Sequence, residues 1–119
     1  LAQQKVIQPE DLWELPLIAS KQKYVDDNIS NWIKKDYSKL NIVATYNLIF
    51  NAALMVEKGI GYALCLDRLI NTAQASELCF RPLNPVLNVD INIVWKKSQV
   101  FSKASELFLQ RLQAAFGTV

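Results

Sequence analysis

Histidine is absent from this chain of 119 residues. The gap removes the commonest general base and the commonest metal ligand from any mechanism confined to these residues. Cysteine is scarce: Cys65 and Cys79 are the only two. Two thiols without further cysteine or histidine ligands do not make a metal site, and they read as small core residues in a reducing cytosol rather than as a disulfide or a reactive thiol. With three glycines and four prolines there is no low-complexity linker. No phosphate-binding glycine loop occurs: Gly59-Ile60-Gly61 lacks a third glycine and follows a helix pattern rather than a strand. No apolar run approaches membrane-spanning length, and no charged-apolar-small leader opens the chain. Nor is there an excess of charge. Thirteen basic against eleven acidic residues leave +2, and the scattered lysines and arginines give no grip on nucleic acid or on an anionic membrane. A nucleophile and its base are missing as well, since Ser20 has no evident base and Asp26-Asp27 sit side by side at an exposed helix start. An enzyme is not expected, and no cofactor or metal is called for.

What remains is a hydrophobic, foldable chain, 51% apolar and 10% aromatic, of a size for one domain with a modest core. It opens on Leu1, and LAQQKVIQPEDL reads as the middle of a longer protein, with a lead-in or short helix near Pro9. Leu15-Pro16-Leu17-Ile18-Ala19, ending in Ser20, predicts a buried strand that Pro16 can start. Asp26, Asp27 and Asn28 open a helix with Val25, Ile29, Trp32 and Ile33 on one face, closed by Lys34 and Lys35 in agreement with the helix dipole. Residues 41–45 form a second strand. Leu48 to Lys58 is apolar nearly all round and predicts a helix buried on more than one side, capped by Asn47 and stopped by Gly59. Residues 62–66 read as a third strand covered on both faces, and 67–76 as a connector with a helical turn near Leu69 and Ile70. Further strands are expected at 78–83 and 89–95. Ser102 caps a last helix that ends at Gly117. The order β-α-β-α-β-β-β-α predicts a three-layer α/β sandwich with a mostly parallel sheet.

These segments, in this order, resemble one family. Leu15-Pro16-Leu17-Ile18 after Asp11-Leu12 is similar to the PLI segment of LysR-type bacterial transcriptional regulators. Ala53 to Leu64 is similar to their helix-to-strand GxG passage. Leu78 to Leu83 fits a following strand, Ile93 to Lys97 with Phe108-Leu109 fits the closing strand and helix, and Leu1-Ala2 matches the tail of a preceding HPLA motif. The resemblance spans essentially the whole chain. It implies one lobe of a type II periplasmic-binding-protein-like fold, namely the second lobe of an effector-binding domain plus its C-terminal return helix over 1–119. The DNA-binding domain would lie elsewhere in the parent protein, which the resemblance makes a cytoplasmic homo-oligomer that senses a small molecule and meets DNA only through that other domain. A lobe of a periplasmic-type solute-binding protein has the same architecture and stands as the alternative.

In two-lobed folds of this kind the effector lies against strand carboxyl ends and helix N-termini. Two such edges occur here: Ser20 with Lys21, and Thr45-Tyr46-Asn47. The hydroxyls of Ser20 and Thr45 donate and accept, while Asn47 and the free N–H groups of residues 48–50 favour a carboxylate or another anion. By the resemblance, the residue that opens this helix commonly lines the effector pocket, which puts Asn47 first. Each has an ordinary structural role too: Asn47 and Ser20 as caps, Thr45 as a strand residue, Tyr46 as a core aromatic with a wet hydroxyl, Lys21 and Lys23 as solvated cations. Trp32 packs in the core or serves a dimer contact.

Overall fold

The computed structural model describes residues 1–21, 23–73 and 76–117. They form two compact units, Leu1–Val89 and Asp90–Val119.

The first unit is built around a three-stranded sheet in the order β2-β1-β3. Its strands are β1 (Leu17–Ser20), β2 (Ile42–Tyr46) and β3 (Tyr62–Ala63), and both pairings are parallel. Parallel neighbours require crossovers, which helices α1 (Lys23–Ile33) and α2 (Ile49–Glu57) supply. The first crossover steps from β1 to β2, and the second runs back past β1 to β3. Right-handed connections travelling in opposite directions put the two helices on opposite faces of the sheet. Leu17, fully buried, packs into a cluster with Ile7, Leu12, Trp32, Ile33 and Leu40, and Ile18, one residue on, points to the other face. Trp32 is only 8% exposed and its indole donates to the Pro85 carbonyl, so packing is its role rather than a dimer contact. Trp13 donates to the Ile33 carbonyl at 3.0 Å, filling one of the acceptors that the last turn of α1 leaves open. Lys35 lies over the Trp13 ring, 5.5 Å from its centroid. Gly61 passes the β1 backbone so closely that a Cβ there would stand 2.5 Å from the Pro16 carbonyl oxygen, which accepts the Tyr62 N–H at 2.8 Å.

Local stop signals read from the sequence hold. Gly59 takes φ +73°, with Ile60 N–H donating to Met55 O at 3.0 Å and Gly59 N–H to Val56 O at 2.8 Å, the paired bonds of a Schellman ending. A 3-10 turn occupies Pro9–Leu12. Other expectations need correction. Helix α1 starts at Lys23, ahead of the expected opening at Asp26; the side chains of Lys23, Val25, Asp26 and Asp27 lie outside the described residues. Strand β3 spans only Tyr62–Ala63, and 67–76 carries no helical turn among its described residues. No strand forms at 78–83: one parallel bridge, Ile7 to Leu83, takes its place, and Pro82 and Pro85 have no N–H with which to extend it. Helix α2 is not buried all round. Ala52 is its one buried residue, while Phe50 and Leu54 are 68% and 59% exposed.

The second unit holds α3 (Lys103–Phe116). Ser102 caps it by accepting from Ser105 N–H at 3.3 Å, and Gly117 ends it at φ +85°, as the sequence predicts. The expected strand at 89–95 is irregular. A strand needs a neighbour for its N–H and C=O groups, and the described residues of this unit offer none. Trp95, Phe101, Phe108 and Leu112 line an apolar groove of about 500 Å³ within the unit.

Candidate functional site

Because all strand pairs are parallel, the three strand tips share one edge of the sheet. Ser20 ends β1 opposite Tyr46, which ends β2, and Lys21 N–H donates to the Tyr46 carbonyl at 3.0 Å. The five residues singled out in the sequence therefore lie at one rim. Ser20 and Tyr46 are half-buried and, as register partners, lie on the same face. Thr45, one residue earlier, alternates to the opposite face. Lys21, Thr45 and Asn47 are exposed.

Asn47 is not the helix cap. That position belongs to Leu48, in extended backbone at φ −113°, ψ 125°, and no side chain caps α2. The first turn instead closes through Asn51 N–H to Leu48 O at 3.0 Å. With Asn51 N–H taken by Leu48 O, the expected run of donors at 48–50 shifts to Ile49 and Phe50 in the first turn. The start of α2 keeps the partial positive charge of a helix N-terminus with no carboxylate of its own in the first turn.

Tyr46 has a different surrounding from the one its sequence position suggests. Its hydroxyl donates to the Leu64 carbonyl at 2.7 Å, beyond the end of β3. Burial first, and then the neighbouring Cys65 thiolate, pushes its pKa up, so at neutral pH it is a neutral donor. Burial, followed by Asp67, likewise raises the Cys65 thiol. Cys65, read from the sequence as a core residue, stands at the rim and is half-buried.

Strand order explains why. The first crossover steps from β1 to β2 and the second runs back past β1 to β3, so the switch point of the sheet falls between β1 and β3, where a crevice opens outside the strand ends. Ser20 and the Leu64–Cys65 exit of β3 flank it. Next to the exit lies a concavity of about 550 Å³ lined by residues 65–68 and 70–73 together with Phe80. None of the five residues chosen from the sequence lines it. The exit segment is what sequence reasoning missed, because only the strand order reveals it. In the same segment Arg68 adopts φ +61°, uncommon outside glycine.

Among the described residues no group of three or more histidine, cysteine, aspartate or glutamate side chains is placed to hold a metal. No described helix is long and apolar enough to cross a membrane. A family model described as LysR substrate binding domain matches residues 1–117. No curated protein and no solved structure matches the chain.

Proposed function

The chain belongs to the LysR substrate-binding domain family, and from that premise we propose that it is the second lobe of the effector-sensing domain of a LysR-type regulator. Its ligand is a small carboxylate or another small anion, and it acts without catalysis. The observation that carries the reading is the shared rim: three parallel strand tips, Ser20 beside Tyr46, and an uncapped α2 N-terminus. Ser20 and Thr45 supply hydroxyls, Asn47 an amide, Lys21 a cation and α2 its N–H groups to an anion held there. A ligand shifts such a protein only through unequal affinity for its two arrangements. On this reading occupancy of the rim biases the orientation of subunits in a cytoplasmic oligomer, and DNA is met through a separate domain. A winged helix-turn-helix encoded upstream would support this reading, whereas a secretion signal there would favour a solute-binding protein.

A thermal-shift screen of small carboxylates on the complete effector domain tests the rim directly. A binding carboxylate is expected to raise the melting temperature of the wild type and to lose most of that shift in Asn47→Ala. An equal shift in the variant removes Asn47 from the site.

A further inference from the structure

Strands β2 and β3 do not touch; β1 lies between them. Their axes are two strand spacings apart, roughly 10 Å, too far for a backbone hydrogen bond. Yet the two are joined at the carboxyl rim. The Tyr46 side chain leaves the last residue of β2, crosses the end of β1 and donates to the Leu64 carbonyl at 2.7 Å. That carbonyl belongs to the first residue after β3, where pairing with β1 stops at Ala63. From Leu64 the chain turns away through Cys65, Leu66 and Asp67 to form a wall of the adjoining concavity. The bond lies over the switch point, where the sheet opens.

We propose that Tyr46 is a positioning residue at the rim: its hydroxyl, bonded to the Leu64 carbonyl across the end of β1, latches the β3 exit segment to the tip of β2. The proposal deepens the effector reading above and takes its functional meaning from it. A ligand at Ser20 that competes for the Tyr46 hydroxyl frees the exit segment, and one that packs beneath the phenol holds it closed. Several features support a latch rather than a direct ligand contact. The ring is half-buried, its hydroxyl already has a protein acceptor, and the short pairing of β3 with β1 ends two residues before Cys65. Besides this bond, the Leu64 side chain packs against the core cluster.

Cys65 reports the latch without any effector. It is the second residue of the exit segment, and exposed Cys79 serves as an internal reference. Iodoacetamide labelling of the full chain at about pH 8, below the usual thiol pKa, is followed at the two sites separately by peptide mass spectrometry. Tyr46→Phe keeps the ring and removes the bond, and is expected to raise the Cys65 rate relative to Cys79 about fivefold to tenfold, with the urea midpoint lowered by no more than the same increment. An unchanged ratio overturns the proposal. In the wild type, Cys65 labelling is expected to stay flat in low urea, as local opening requires; a rate that climbs with urea as steeply as global unfolding contradicts the latch. Because no ligand enters this experiment, its failure leaves the effector reading standing, and a failed carboxylate screen leaves the latch standing.

Discussion

Single residues set the closest tolerances in this fold, and among the glycines Gly61 sets the tightest. Its role is unrelated to phosphate binding: it lets β3 lie against the β1 backbone at Pro16, where an added Cβ would meet the carbonyl oxygen at 2.5 Å. The obstacle is main chain, so it cannot rotate away, and the same carbonyl already accepts the Tyr62 N–H. Gly61→Ala is expected to destabilise the chain by about 1–3 kcal/mol, read as a lowered urea midpoint. An unchanged midpoint would show that β3 is not held where it lies. Asn47 gives the opposite lesson. The cap falls one residue later, on Leu48, and this leaves the Asn47 amide free of the capping role that its sequence position suggests. Tyr46 is the residue whose meaning changes most, from one wall among several to the bond that joins two unpaired strands.

At the scale of elements, what was legible in the sequence is what is encoded locally. A helix stop needs one glycine and the turn before it, so Gly59 and Gly117 were readable, as was the Ser102 cap. A strand is different, because its N–H and C=O groups need a neighbour that the segment itself does not name. Residues 78–83 and 89–95 have strand composition, but the former finds a single bridge and the latter no strand partner among the described residues. Helix α2 failed for a related reason. Its apolar composition predicts burial on several sides, whereas the sheet covers only the side that carries Ala52, leaving Phe50 and Leu54 outward. Replacing both with glutamine is therefore expected to change stability by less than about 0.5 kcal/mol at each site. A loss of several kcal/mol on urea unfolding would mean that this face is packed after all.

The whole molecule adds what neither residues nor elements contain: the order of strands. Strand composition places β1, β2 and β3 along the chain, but nothing local says that β1 lies in the middle. That fact makes the strand order reverse between β1 and β3, and so draws Leu64 and Cys65 to the rim where Ser20 ends. The shared edge of Ser20, Lys21 and residues 45–47 was legible, because two βαβ strands in parallel must bring their carboxyl ends together. The third contributor was not. Function at this scale rests on the claim that a small anion binds at the carboxyl rim, and amide chemical-shift mapping with a carboxylate that binds tests it most directly. Shifts are expected to cluster at Ser20, Lys21, residues 45–51 and the 64–67 exit. Shifts confined to the opposite edge of the sheet, around Pro16, Asn41 and Gly61, would contradict the account.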